Sequence, residues 1–172
     1  MPEKISHEDL RKLAISWLKS RTWPSRVGGN PRGGLCSIVA SEVVTSANDI
    51  PDAIGWNFRG RSVLIECKTT KRDFYQDGNK PQRQNGSGLG NQRYFLVPIG
   101  LISKDEIPEG WGLLECDGKR VECTVKAPTR ELSASDQSNE KLILMSLIRR
   151  INKREFLIIQ PEEMEEILEP NE

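Results

Sequence analysis

The stretch IPDAIGWNFRGRSVLIECKTTKRDF, residues 50–74, decides how this chain is read. Two runs rich in β-branched and aromatic residues, PDAIGWNF and SVLIECKTT, flank Arg59, Gly60 and Arg61. That is the pattern of two antiparallel strands joined by a tight turn. Side chains alternate along a strand, so Val63, Ile65 and Cys67 point one way and Leu64, Glu66, Lys68 and Thr70 the other. The first set reads as a buried face for helices to cover. The second places a carboxylate and an ammonium side by side at the strand's end. The turn returns that end to the start of the preceding strand, within reach of Asp52.

Outward from this core, SHEDLRKLAISWLKS predicts a helix capped by Ser6 with Asp9 three residues on, and Leu10, Leu13, Ala14, Trp17 and Leu18 on one face. RVGGNPRGG, residues 26–34, reads as a loop, and CSIVASEVVT as a strand on which Ile38, Ala40, Glu42 and Val44 share a face. A helix is predicted to begin near Asp73, which would cap it. The Gly/Asn-rich QNGSGLGNQ reads as a flexible loop, and residues 76–91 as a segment that is mobile without substrate. RYFLVPIG predicts a strand ending at Pro98, and GWGLLECDGKRVECTVKA a hairpin turning at Asp117 and Gly118. APTRELSASDQSNE reads as irregular. EKLILMSLIRRINKR predicts an amphipathic helix with Ile143, Leu144, Leu147, Ile148 and Ile151 on its packed side, and PEEMEEILEP a last short helix. The order predicts an α/β (α+β) domain around one mixed β-sheet flanked by helices.

The 172 residues suit one domain. No run is long enough to span a bilayer, and MPEKISHEDLRK lacks an apolar signal core. Cys36, Cys67, Cys116 and Cys123 form no CxxC pair, which argues for reduced thiols in a cytoplasmic protein and against a structural zinc site. The 25 basic and 25 acidic side chains balance. They are unevenly spread, with eight basic against three acidic residues over 59–93, and six glutamates with no basic residue over 161–172. A phosphate-facing middle and an acidic tail follow from this distribution, as does ordinary surface charge. Lys71, Arg72, Lys80 and Arg83 are the candidate phosphate- or nucleic-acid-contacting residues, the last two placed to clasp a phosphate backbone.

Two neighbouring carboxylates repel unless a cation lies between them. Magnesium favours carboxylate and water oxygens and completes its shell with substrate phosphate. A lysine beside it can hold a phosphate or serve a water, so Asp52, Glu66 and Lys68 fit hydrolysis of a phosphodiester. Glu42 is a third carboxylate candidate. The same spacing also fits a plain Glu66–Lys68 ion pair, with Asp52 as a turn residue after Pro51. A Cys67–His7 nucleophile pair is set aside, since Cys67 faces the core and His7 is distant in sequence. Neither a Walker A motif nor GxGxxG occurs.

Pro51-Asp52 followed by Glu66-Cys67-Lys68 resembles the signature of the PD-(D/E)xK nuclease superfamily, in the setting helix, strand, Asp strand, ExK strand, helix, strand. IECKTTKRDFYQD, RYFLVPIGLI and IPEGWGLLECDG further resemble the MmcB-type bacterial DNA-repair proteins of that superfamily and their phage-borne relatives. The resemblance covers residues 42–127. It implies a restriction-endonuclease-like core, assigned to residues 1–130; residues 131–172, which the resemblance does not cover, are expected as a C-terminal helical extension packed on it. It implies that Asp52 and Glu66 bind Mg2+ (Mn2+ substituting) with the main-chain carbonyl of Cys67, that Lys68 serves the attacking water and scissile phosphate, and that Glu42 matches an acidic position on the first strand. Glu8 is the counterpart of a first-helix glutamate, but helical spacing points it away from the Leu10/Trp17 face. The expected function is a metal-dependent nuclease acting on DNA in repair, recombination or phage DNA processing. The alternatives are a non-cleaving DNA-binding or accessory protein that keeps the fold, and an interaction protein working through the Lys141–Ile151 helix and the acidic tail; the partners expected are DNA, with a homodimer or a protein partner left open.

Overall fold

A computed structural model describes residues 5–19, 36–42, 50–78 and 87–151. The elements are α1 (His7–Lys19), β1 (Ile38–Ala40), β2 (Ala53–Trp56), β3 (Ser62–Cys67), α2 (Lys71–Gly78), β4 (Gln92–Pro98), a 3-10 turn (Lys104–Glu106), β5 (Gly112–Cys116), β6 (Val121–Val125) and α3 (Ala134–Ile151). The strands form one six-stranded sheet in chain order. β1, β2 and β3 are antiparallel, β4 and β5 run parallel to β3, and β6 returns antiparallel. The fold is α+β, a mixed sheet with helices on both faces. No helix among the described residues is long and apolar enough to cross a membrane.

Alternation along β3 sorts the core into two layers. Val63, Ile65 and Cys67 join Tyr94, Leu96 and Leu114 under Leu10, Ala14 and Leu18 of α1. Leu64 joins Phe95, Val97 and Leu113 on the opposite face, under Phe74 of α2 and Ile143 of α3. Every residue of β3 is therefore buried, as expected of a central strand covered on both faces. The face carrying Glu66 is thus a second core layer.

Local chemistry explains the element ends. The Ser6 hydroxyl accepts the Asp9 N–H (3.1 Å) and the Asp9 carboxylate accepts the Ser6 N–H (3.3 Å), the reciprocal cap expected at α1. The β2–β3 turn is closed by the Asn57 side chain, which accepts N–H groups from Arg59 (2.9 Å) and Arg61 (3.0 Å). In the β5–β6 turn Asp117 Oδ1 accepts from Lys119 (2.8 Å) and Arg120 (2.7 Å).

Several expectations are corrected. β1 ends at Ala40, and Glu42 has a left-handed φ of 51°, so it leaves the strand's alternation. α2 begins at Lys71, with the Thr70 hydroxyl, and not Asp73, as the cap: it accepts the Asp73 N–H at 3.2 Å. α3 begins at Ala134, inside the segment expected to be irregular, with Ser133 Oγ accepting the Asp136 N–H (3.1 Å). Its packed side holds Ile143, Leu144 and Leu147, whereas Ile148 is exposed. Residues 87–91 are anchored: Leu89 is buried, and Gly88 and Gly90 donate N–H groups to Asp136 and Glu140, each at 2.9 Å. The expected loop over 26–34, the far end of the first strand over 43–45, residues 79–86 with Lys80 and Arg83, the Ile151 side chain and the short helix over 161–170 lie outside the described residues.

Gly90 has φ +89°, and a Cβ there would come within 2.8 Å of the Leu64 Cβ. Gly90→Ala is expected to destabilise the fold by about 2 kcal/mol or more, combining left-handed strain with overpacking. Gly60 also has a positive φ (+73°) but nothing within 4 Å. Gly60→Ala should cost only about 1 kcal/mol of backbone strain. Urea denaturation of both variants checks the difference.

Candidate active site

The motif residues gather where β2 begins and β3 ends. β2 and β3 pair as Ala53↔Ile65 and Ile54↔Leu64, and the Asn57 N–H donates to the Arg61 carbonyl at 2.9 Å. Odd-numbered residues of β2 therefore occupy hydrogen-bonded positions. The β2–β3 ladder ends at Ala53↔Ile65, and the two residues before it, Pro51 and Asp52, lie beside the end of β3. Proline has no N–H, so Pro51 offers β3 no ladder donor there. The Cys67 N–H itself donates to Asp52 Oδ2 (2.8 Å), while the Pro51 carbonyl accepts from Glu42 N–H (3.2 Å). On the other side of β3, the Lys68 N–H donates to the Leu96 carbonyl (3.0 Å), extending the parallel ladder towards Pro98, a second residue without a donor. A proline thus closes the ladder on each flank of β3 just where the motif emerges.

Lys68 Nζ lies 3.8 Å from Glu66 Oε2 and 3.5 Å from Asp77 Oδ1. The three side chains are 13%, 5% and 2% exposed. Asp77 was not singled out by sequence reasoning, although helical spacing from Phe74 would have placed it on the buried face of α2. His7 was also passed over. Its Nε2 is 3.3 Å from Asp52 Oδ1, because the first turn of α1 packs over the end of the sheet that carries the motif. Cys67 is no nucleophile here. Burial, then the nearby Asp52 and Glu66 carboxylates, push its thiol far above the ordinary value. Burial likewise raises Cys36 to about 12.

The remaining predicted residues lie elsewhere or are committed. Glu42 keeps its backbone beside Pro51, but its carboxylate pairs with Arg11, which also holds Glu8. Neither glutamate is brought to Lys68. Lys71 pairs with Glu106 (3.6 Å), an acid held down to about 2 by the Ser103 N–H and then by the Tyr75 hydroxyl. Arg72 is exposed. Among the described residues no three His, Cys, Asp or Glu side chains form a metal-holding group. A cleft of about 970 Å³ opens beside the motif, lined by Ile5 and Asp9 at α1, Thr69 after β3, Ile99 after β4, and Asp117 and Lys119 in the β5–β6 turn. Thr69 connects it to Lys68; Asp52 and Glu66 do not line it.

No family model and no curated protein matches the chain. Among solved structures, the SPO1766 protein of unknown function from Silicibacter pomeroyi superposes with a TM-score of 0.53 at 22% identity, the match covering 67% of this chain and 77% of that one. At that identity the likeness is one of fold.

Proposed function

We propose that the chain is a metal-dependent nuclease that hydrolyses phosphodiester bonds of DNA, with Asp52, Glu66 and Lys68 at its centre and a role in DNA repair, recombination or phage DNA processing. The observation that carries this reading is the meeting of the motif at one end of the β2–β3 pair: Asp52 accepts the N–H of Cys67, between Glu66 and Lys68, and the Lys68 ammonium lies beside Glu66. The order α1, β1, β2, β3, α2, β4 supports it as the setting that the PD-(D/E)xK resemblance implies.

The donor set suits a hard divalent cation. Asp52, with His7 as its ion-pair partner, lies beside the end of β3, and Glu66 and Asp77 share Lys68 in largely buried surroundings. Carboxylates gathered this way suit a divalent ion, which binds hard oxygen donors. Asp52, Glu66 and the Cys67 carbonyl, which β2 offers no donor, would hold Mg2+ or Mn2+. When bound, the ion supplies Lewis-acid stabilisation of charge on the phosphate oxygens. In hydrolysis one P–O bond to the water oxygen forms, one P–O ester bond breaks, and a proton passes to the leaving oxygen. Lys68, fixed beside Glu66, orients the water and stabilises the developing charge. The Cys67 N–H holds Asp52 in one orientation.

Incubating the purified chain with supercoiled plasmid and with single-stranded and branched DNA is expected to give cleavage in Mg2+ or Mn2+ and none with EDTA. Glu66→Ala should weaken Mn2+ binding, with excess Mg2+ partly restoring activity. The variant keeps Lys68 paired with Asp77, so folding is expected to survive. Binding to the whole DNA panel without any cleavage would replace the enzyme with an accessory protein of the same fold.

A further inference from the structure

We infer that the tip of the β2–β3 hairpin is a contact for unpaired DNA, with Phe58 stacking on a base while Arg59 and Arg61 face its phosphates. The inference takes DNA as the partner from the reading above and stands apart from cleavage. Phe58 is 65% exposed, and Arg59, Gly60 and Arg61 are exposed beside it. The Arg59 guanidinium lies 5.5 Å from the centre of the Phe58 ring. Arg61 pairs with the exposed Glu131 at 3.2 Å, a surface ion pair weak enough for a phosphate to displace. A Cβ added at Gly60 would meet nothing within 4 Å, so the space around the tip is open. One exposed apolar side chain needs no explanation by itself. A bare ring flanked by guanidinium groups is a different composition: an aromatic face for a base and cations for the backbone beside it.

The tip is also ordered in advance. The Asn57 side chain accepts the Arg59 and Arg61 N–H groups, and the Gly60 N–H donates to the Asn57 carbonyl at 2.9 Å. Below the turn, Trp56 Nε1 and the Ser62 hydroxyl both donate to the Glu140 carboxylate of α3, at 2.8 and 2.7 Å. Phe58 therefore stands on a fixed stem, and a base stacking on it has no loop to order. Every base has a face to stack, so the contact is indifferent to sequence. Bases inside a duplex present their edges to the grooves, so the tip favours unpaired DNA. Phe58 lies six residues beyond Asp52 along the chain, about 20 Å away at the rise of a strand. The tip thus acts on affinity and on the form of DNA held, apart from the reacting phosphate.

The test is fluorescence anisotropy of a labelled single-stranded oligonucleotide and of the same sequence as a blunt duplex, with the full chain in EDTA so that nothing is cut. The parent is expected to bind the single strand more tightly. Phe58→Ala should weaken that binding about 10-fold, the scale of one lost base stack, and move duplex binding by less than about 2-fold. Phe58→Tyr keeps the ring and should bind like the parent. Arg59→Gln should weaken both forms and reduce the slope of log affinity against log salt by about one phosphate contact. The exposed ring leaves the fold intact when truncated, which an unchanged urea midpoint checks. Should Phe58→Ala not fold, Arg59→Gln decides, and an unchanged salt slope overturns the inference. A folded Phe58→Ala protein that binds the single strand like the parent overturns it and leaves the nuclease reading to the plasmid assay. A parent that binds no single strand overturns it too, even where it cleaves duplex in Mg2+. A parent that binds the single strand through Phe58 and cleaves nothing supports the inference and ends the nuclease reading. If Phe58→Ala lowers the sedimenting mass of the chain with DNA binding unchanged, the tip is a protein contact and the inference fails.

Discussion

Lys68→Ala is expected to lower DNA cleavage by about 10²-fold or more, the usual scale for losing a positioned acid–base or electrostatic group. The side chain follows Glu66 by two residues on the same strand face, so its ammonium stands beside the proposed metal pair. DNA affinity should change little, because one phosphate contact among several is lost. A consideration of the sequence alone expects the fold to be indifferent to this change. The structure predicts otherwise. Removing the ammonium takes one cationic partner from the buried carboxylates of Glu66 and Asp77, and breaking a buried pair by removing one partner costs about 3–5 kcal/mol. Lost activity in the single variant could therefore report unfolding. The double variant Lys68→Ala/Asp77→Asn separates the two effects, since it removes one charge of each sign. It should regain most of the stability while remaining as poor a nuclease as the single variant. Thermal denaturation and cleavage measured side by side decide. If the double variant cleaves at the parental rate, Lys68 is only an ion-pair partner, and the catalytic reading of residues 50–74 is withdrawn.

Much of this site was legible because it depends on local rules. Alternation along β3 put Glu66 and Lys68 on one face, and a five-residue connection between β2 and β3 brought Asp52, just before β2, beside the end of β3. Turn chemistry placed both hairpins. What escaped was tertiary. His7 lies 45 positions before Asp52 in the chain, and only the packing of α1 across the sheet brings the two within 3.3 Å. Asp77 belongs to a short, polar helix in which Phe74 is the only large buried side chain. Nothing local distinguishes a buried acid there from a solvated one. Glu42 failed in the opposite sense. Its spacing promised a third carboxylate on the strand face, but the strand stops at Ala40 and Arg11 takes the side chain. The first turns of α3 were missed for a related reason. Ser, Asp, Gln and Asn favour caps and turns over helix interiors, and that part of the helix is stabilised by Ser133, by the Arg130–Asp136 pair at 3.1 Å and by the contacts of Glu140.

Glu140 carries the second large expectation, and it is independent of the nuclease reading. Its carboxylate is buried and accepts three hydrogen bonds: from Trp56 Nε1 (2.8 Å), from the Ser62 hydroxyl (2.7 Å) and from the Gly90 N–H (2.9 Å). These donors stand at the end of β2, the start of β3 and the entry to β4, so one side chain of α3 ties three neighbouring strand ends together. Each buried donor left without an acceptor costs about 1–3 kcal/mol. Glu140→Ala removes all three acceptor contacts and strands the Trp56 and Gly90 donors, the Ser62 hydroxyl retaining Asn91 Oδ1 at 3.2 Å, and is expected to destabilise the fold by about 3 kcal/mol or more. Glu140→Gln should fall between the parent and Ala. It retains an acceptor oxygen, but its amide turns a donor towards a donor. In urea denaturation the midpoint should drop in the order Glu, Gln, Ala with the slope unchanged, the signature of lost stability without a change in what unfolds. Ser138→Ala, on the exposed side of the same helix with its hydroxyl bonded back to the Ala134 carbonyl, controls for helix propensity and should move the midpoint little. A Glu140→Ala protein within about 0.5 kcal/mol of the parent, the range of an ordinary surface change, would mean that α3 is dispensable to the sheet. The region from residue 131 onward would then be an appendage, whereas a large loss makes its first helix part of the same cooperative unit as the strands that carry Asp52 and Glu66.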